Sequence, residues 1–153
     1  MGSHLLMRLV EDGSQIRAIY RTQKKRDAVV NVFGYYHSNA EELWQKIEWV
    51  KGDVLDVSSL TDAMVGVTQV YHCAAAVTFI PKEEAYMQKV NTEGTANVVN
   101  ACLDVPKVRL CHVSSVAAIG RDGSEKIIGE ENEWKESKHN AAYAISKHNA
   151  EME

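Results

Sequence analysis

Strand-like and helix-like segments alternate along this chain, and this alternation limits its possible folds more than any other feature. Four short runs rich in β-branched residues, IRAIY, IEWVK, VTQVYHCAAAV and VRLCHVSSV, are separated by stretches with a helical pattern. Strands joined by helices run parallel, and the helices cover both faces of the sheet. The sequence therefore predicts an α/β fold with a doubly wound parallel sheet.

The helical segments carry local start signals. Ser38 and Glu41 form a capping box at the start of SNAEELWQKI, which predicts a short helix there. Serines at the start of SSLTDAMVG are expected to cap the next helix. One long helix is predicted from about Glu83 to Leu103. Residues 120–140 are polar and have no period, so they are predicted to form a loop.

Composition excludes several classes of protein. The chain has 153 residues, 45% hydrophobic and 25% charged, with a formal net charge of −4. Such a chain is not expected to bind nucleic acid or an anionic membrane surface, and no apolar run is long enough to span a bilayer. The cysteines form no CxxC pair and the histidines show no metal-ligand spacing. We therefore expect no metal, a reducing cytoplasmic location and one domain over residues 1–153.

The ends of the strands are where a ligand is expected. In an open parallel sheet, ligands bind outside the carboxyl ends of the strands. The residues that follow the four predicted strands are Arg21, Gly52-Asp53, Ala74-Ala75-Ala76 and Ser114-Ser115.

Each of these strand ends has a functional and a purely structural interpretation. Arg21 suits the 2′-phosphate of a dinucleotide, or it belongs to a solvated basic turn. Asp53 could accept a hydrogen bond from an adenine amino group, or it is an ordinary turn aspartate. Ala74 and Ala75 could leave room for a flat ring, or they continue an apolar core strand. Ser115 could bond a substrate oxygen, although serine is common in turns.

Tyr143 and Lys147 are the pair with the clearest chemistry. They lie four residues apart in a helix predicted to start near residue 141, and so share one helical face. A free tyrosine has a pKa of about 10, and a nearby ammonium favours the phenolate. The pair could therefore act as a general acid or base near neutral pH. The same spacing also arises by chance on surface helices.

Taken together, the quoted segments resemble the short-chain dehydrogenase/reductase superfamily in its extended, epimerase/dehydratase/reductase branch. The matching pieces occur in the family's order over nearly the whole chain: GSHLLMRLVEDG, RAIYR, GDVLD, VYHCAAAV, NTEGTANVVNAC, VSSVAAIG and YAISKHNAE. The resemblance implies a Rossmann fold that binds a nicotinamide cofactor.

The same resemblance implies roles for individual residues. Tyr143 would be the acid/base, Lys147 its electrostatic partner and a contact to the cofactor ribose, and Ser115 would hold the substrate oxygen. Asn91, in VNTEGT, is expected to fix the backbone. The implied cofactor is NADP, with NAD as the alternative, and the residues expected to meet it are Gly2, Arg21, Asp53, Val54, Ala74, Ala75 and Lys147.

Within that branch, two stretches favour the reductases. HCAAAVTF is similar to the dihydroflavonol-reductase and 3β-hydroxysteroid-dehydrogenase group, and SSVAAIG has Ile119 where sugar-nucleotide epimerases usually carry a tyrosine. We therefore expect hydride transfer between a nicotinamide and the carbonyl or alcohol carbon of a small-molecule substrate, with a homodimer as one possible assembly. A sugar-nucleotide epimerase or dehydratase and a non-catalytic nucleotide-sensing protein are the alternatives.

The chain departs from the family at both ends. The family begins with a strand and a TGxxGxxG loop, of which only the last glycine, Gly2, has a counterpart here. The family also continues beyond the helix that contains Tyr143. We therefore expect an incomplete sheet, the middle portion of a longer enzyme, and weak cofactor binding without turnover by the 153-residue chain.

Overall fold

The computed structural model describes residues 1–120 and 129–153 of the chain. The chain divides into two compact units, Met1–Val65 and Gly66–Glu153. The first unit comprises α1 (Gly2–Glu11), β1 (Ile16–Tyr20), α2 (Gln23–Gly34), α3 (Ala40–Gln45), β2 (Ile47–Lys51) and α4 (Val57–Ala63). The second comprises β3 (Gln69–His72), a 3₁₀ helix (Pro81–Glu83), α5 (Glu84–Asn91), α6 (Glu93–Leu103), β4 (Arg109–His112), a 3₁₀ helix (Val116–Ile119) and α7 (Ala142–Glu151).

In the first unit, β1 and β2 pair in parallel, with Ile16 opposite Ile47. Side chains from α1, α2 and α3 pack against these strands and form one buried apolar cluster. Each fully buried large aliphatic or aromatic side chain of this kind contributes about 1.5–3 kcal/mol. The cluster comprises Met7, Val10, Ala18, Val29, Phe33, Leu43 and Ile47.

The helix α1 begins at Gly2 and ends before Gly13. Gly13 has a φ of 75°, a left-handed conformation that glycine adopts without the steric cost of a Cβ. Its N–H donates to the carbonyl of Val10. The turn therefore directs the chain from α1 into β1.

In the second unit, β3 and β4 also pair in parallel, with Gln69 opposite Arg109. The prediction of a single long helix between these strands is wrong, because the structure has two separate helices, α5 and α6, in that region. Thr92 lies between them with φ −86° and ψ −66°. The Thr95 hydroxyl donates to the Asn91 carbonyl at 2.6 Å, and such a side-chain bond competes with the helical backbone ladder and bends it.

Two further sequence expectations need correction. The Ser38–Glu41 capping box does not form, because α3 begins after Asn39 and has no side-chain cap. Asp56, rather than a serine, caps α4. The basic residues Lys24, Lys25 and Arg26, which follow Arg21, lie in α2.

The four strands confirm an α/β fold with part of a Rossmann-type sheet. Within residues 1–120 and 129–153, β1 pairs with β2 and β3 pairs with β4. None of the helices in this described portion is both long and apolar enough to cross a membrane.

Candidate active site

The end of β4 carries two serines in different environments. Ser115 Oγ accepts a hydrogen bond from the N–H of Ala117 at 3.2 Å and so caps the 3₁₀ helix that follows. A hydroxyl that accepts one bond still has its own proton to donate. Ser114 Oγ is buried and has no hydrogen-bond partner among the described residues. The chain therefore presents Ser115 with a donor available for a ligand oxygen.

Lys147 is almost completely buried, with 2% of its surface exposed. Its Nζ donates to the carbonyl of Val113 at 3.0 Å and lies 3.3 Å from His112 Nε2. A buried ammonium costs several kcal/mol unless polar groups compensate it, and these two acceptors do so. Burial lowers the pKa of Lys147, while the Glu151 carboxylate acts in the opposite direction. These contacts join α7 to the end of β4, next to the two serines.

Tyr143 lies one helical turn before Lys147 on α7 and is half-buried. The backbone carbonyl of Tyr143 accepts a hydrogen bond from Ser146 Oγ at 2.7 Å. Ser146 is itself fully buried. The turn that carries Tyr143 and Lys147 is therefore fixed from inside the unit, which limits the positions that the phenol can take.

Asn91, 1% exposed, connects three parts of the second unit. Its Oδ1 accepts from the N–H of Ala76 at 2.7 Å, and its Nδ2 donates to the carbonyl of Ala76 at 2.9 Å and to Ser146 Oγ at 2.9 Å. The expectation that Asn91 fixes the backbone is confirmed. One amide thus ties the loop after β3 to α7.

Two histidines lie side by side on β3 and β4. His72 and His112 occupy paired positions in the register, and their ring centroids are 5.2 Å apart. His72 Nε2 lies 3.0 Å from Thr95 Oγ1. Burial lowers the pKa of His72 to about 4, with the nearby charges of His112 and Lys147 acting in the same direction. His72 is therefore a neutral, hydrogen-bonded residue at physiological pH.

Four of the residues expected to meet the cofactor lie in the first unit. Gly2 begins α1, whose first turn holds no acidic side chain. Arg21 follows β1, and its NH1 lies 3.8 Å from Asp53 Oδ2, with both side chains partly exposed. Asp53 Oδ1 accepts from the N–H of Leu55 at 3.1 Å, so Asp53 is part of a turn, and its contact with adenine stays a prediction. Val54, half-buried, follows Asp53.

Ala74 and Ala75 lie beyond the end of β3 and are exposed. The alternative that they continue an apolar core strand is therefore wrong. Because the strand stops at His72, the backbone of these alanines is placed by the Asn91 amide at Ala76 instead of by a sheet ladder. Small exposed side chains at the carboxyl end of a strand leave space for a ligand.

The part of the predicted loop that the structure describes, residues 129–140, contains no helix or strand, and residues 121–128 lie outside the described residues. The Trp134 ring stacks on His148 of α7, with centroids 4.1 Å apart and planes 4° from parallel. Gly120, at φ 79°, faces this tryptophan so closely that a Cβ would lie 2.7 Å from the ring. Trp134 therefore anchors this segment to α7.

Sequence reasoning missed His112 and Ser146 as parts of this site. Both are tied to residues far away in the chain: Lys147 is 35 residues from His112, and Ser146 is 55 from Asn91. In the sequence, only the position of His112 directly before the Val-Ser-Ser segment indicated that it belongs to the site. A residue at the end of a strand faces the same edge as the serines that follow it.

Comparison with known proteins gives a consistent result. The sequence model described as the 3-beta hydroxysteroid dehydrogenase/isomerase family matches residues 1–153. A Synechocystis protein with the provisional name dihydroflavonol 4-reductase is 30% identical over 153 residues, which are 100% of this chain and 40% of that protein. The Medicago sativa dihydroflavonol 4-reductase is 29% identical over 136 residues, 87% of this chain and 60% of the relative.

A solved structure supports the fold. The crystal structure of a short-chain dehydrogenase/reductase superfamily protein from Agrobacterium tumefaciens, with bound NAD, superposes with a TM-score of 0.72 at 22% sequence identity. The match covers 99% of this chain and 40% of that one. The chain therefore spans less than half the length of this structure and of the Synechocystis relative.

Proposed function

The chain belongs to the 3-beta hydroxysteroid dehydrogenase/isomerase family, and from this premise we propose that its protein is an NAD(P)-dependent reductase or dehydrogenase. The substrate would be a small molecule with a carbonyl or secondary alcohol group. The observation that supports this proposal most directly is the bond from Lys147 Nζ to the Val113 carbonyl at 3.0 Å. It joins the helix of Tyr143 to the strand end of Ser115.

The residues of the chain suit a nicotinamide dinucleotide. A helix N-terminus such as that of α1 leaves N–H groups without intrahelical partners, which favours a phosphate anion. The Arg21 guanidinium, partly exposed at the end of β1, suits a 2′-phosphate. We therefore propose NADP rather than NAD. The similar Agrobacterium tumefaciens structure contains bound NAD. When bound to this protein, the cofactor would supply or accept the hydride.

The chain's own residues would handle the proton and the substrate oxygen. The Ser115 hydroxyl donates a hydrogen bond to that oxygen and orients the carbonyl. Tyr143 gives its phenolic proton to the oxygen during reduction and removes it during oxidation. The Lys147 ammonium, on the same face of α7, stabilises the phenolate that remains.

The sequence-based expectations of a cytoplasmic location and of a homodimer stay predictions.

Replacement of Tyr143 by phenylalanine tests the proposal. The experiment uses the complete product of the gene, with NADPH oxidation followed against dihydroflavonols, steroid ketones and simple aryl ketones. We expect Tyr143→Phe to lower kcat about 10²- to 10⁴-fold, the range for loss of a general acid. NADPH binding, measured by fluorescence titration, should change little because the ring remains.

Tyr36→Phe is the matched control, since Tyr36 is 57% exposed and lies in the first unit. It should leave both turnover and NADPH binding as in the native protein. Native turnover in Tyr143→Phe would contradict the proposed acid/base role. Absence of NADPH and NADH binding in the native protein would contradict the whole proposal.

A further inference from the structure

His112 is a half-buried titratable residue in contact with the proposed active site, and the reaction described above does not use it. It is the last residue of β4 and is half-buried. Its Nδ1 is buried and makes no hydrogen bond within the described residues. Its Nε2 lies 3.3 Å from Lys147 Nζ. The contact with Lys147 is therefore the polar interaction that orients this ring.

Donor and acceptor chemistry defines the form of the ring in that contact. The Lys147 ammonium has three donors and no acceptor, so His112 Nε2 must accept. The imidazole of His112 is then neutral, with its proton on Nδ1. Together with the Val113 carbonyl, it provides Lys147 with two acceptors on the strand that leads to Ser115.

The groups that surround His112 favour its neutral form. The His72 ring packs on it from β3, and Lys147 and Glu151 approach from α7. Thr95 Oγ1 donates to the Asn91 carbonyl, so it accepts from His72 Nε2–H. Burial lowers the pKa of His72 to about 4, so that ring is neutral as well. Burial lowers the pKa of His112, the Lys147 charge lowers it further, and the Glu151 carboxylate raises it.

We propose that His112 is a positioning residue, which as a neutral imidazole holds the Lys147 ammonium beside the proposed acid/base Tyr143 and releases it when protonated. This inference rests on the proposed function of Tyr143 and Lys147. A protonated His112 has no free acceptor at Nε2 and places a second positive charge next to Nζ. Turnover should therefore fall as the pH is lowered and His112 becomes protonated.

The pH profile of turnover separates positioning from a merely structural role. His112→Gln keeps an acceptor near the position of Nε2 and has no proton to gain, whereas His112→Leu removes the acceptor. We expect His112→Leu to lower kcat about tenfold or more at every pH, the size expected for one hydrogen bond to a charged group. His112→Gln should recover most of kcat and extend activity at least about one pH unit further into acid.

Equal losses in His112→Gln and His112→Leu, with the acid limb unmoved, would overturn the proposal. Circular dichroism and thermal unfolding of both variants show whether either loss comes from misfolding. Both substitutions alter a packed part of the second unit and could reduce its stability. A second measurement therefore uses the native His112 ring.

Proton and nitrogen NMR of the histidine rings tests the contact without turnover. The His112 signals are those absent from His112→Gln. We expect the Nδ1–H tautomer, a titration below the ordinary histidine range, and an upward shift of the pKa in Lys147→Met, because the neighbouring positive charge is gone. A His112 titration that does not respond to Lys147→Met would overturn the positioning role even in an active enzyme.

The two failures are distinguishable. If the native protein binds no nicotinamide cofactor and reduces no carbonyl, but His112 and Lys147 titrate together, the reductase proposal is wrong and so is a role for His112 in turnover. If the protein is an active reductase and the rings titrate independently, only the His112 proposal is wrong.

Discussion

At the scale of single residues, the side chains of the proposed site differ in what surrounds them. Lys147 is buried and bonded to Val113 and His112. Asp53 is partly occupied by its own turn, through the N–H of Leu55. Ser115 both caps a 3₁₀ helix and keeps a proton to donate. Residue type alone predicts what a side chain can do, whereas its neighbours decide which atoms are available.

Arg21 carries the prediction about cofactor choice. Arg21→Gln should weaken NADPH binding about tenfold or more and change NADH binding much less, because a charge-assisted bond to the 2′-phosphate is lost. Equilibrium titrations with both cofactors measure this. Lys46→Gln, an equal change of charge at an exposed position of the same unit, should affect neither. Equal weakening with NADPH and NADH would show that Arg21 does not contact the 2′-phosphate.

At the scale of elements, strand positions followed the sequence better than helix boundaries did. The strands at Ile16–Tyr20 and Ile47–Lys51 lie where the β-branched runs predict them. The serines do not cap α4 as the sequence predicts. Asp56 caps it instead, because its Oδ1 accepts the hydrogen bond from the N–H of Ser59. Several residues near a helix start can cap it, and the local backbone decides among them.

The cap of α4 gives a prediction about stability. Asp56→Ala should lower the free energy of unfolding by about 1 kcal/mol, the usual cost of losing an N-cap. Asp56→Asn, which keeps a capping oxygen, should lose much less, and Ser58→Ala should be close to neutral because Ser58 lies exposed within the helix. Urea denaturation followed by circular dichroism measures all three. A larger loss in Ser58→Ala than in Asp56→Ala would contradict the assignment of the cap.

At the scale of the whole molecule, the chain divides into two compact units, and each has one parallel strand pair among the residues that the structure describes. Polar interiors distinguish the second unit: His72, Asn91, Thr95, Ser146 and Lys147 are all buried there. Buried polar groups cost stability when they lose their partners or change their charge. The stability of the protein should therefore depend on pH through these groups.

His72 supplies the pH prediction. Its pKa is lowered from 6.5 to about 4 in the folded protein, so the unfolded chain binds its proton first as the pH falls. Stability is unaffected by this group above pH 6.5 and falls between about 6.5 and 4, by up to about 3 kcal/mol. His72→Gln, which keeps an N–H for Thr95, should lose less over that range. Urea denaturation at pH 7.5 and 4.5 measures the difference, and the same loss in both proteins would contradict it.

The sequence by itself determined the fold class, the strand positions and the candidate catalytic side chains. These depend on signals that span a few residues: the alternation of apolar runs, helical spacing between Tyr143 and Lys147, and serines that follow a strand. Such signals act within one element, and so they can be interpreted before any packing is known.

Only the tertiary structure decided how those side chains are held. The Asn91 bonds to Ala76 and Ser146, and the Lys147 bonds to Val113 and His112, join segments 15 to 55 residues apart. Their formation depends on the distance and angle between packed elements, which no local pattern encodes. The break at Thr92 directly follows Asn91, whose side chain is held by Ala76 and Ser146.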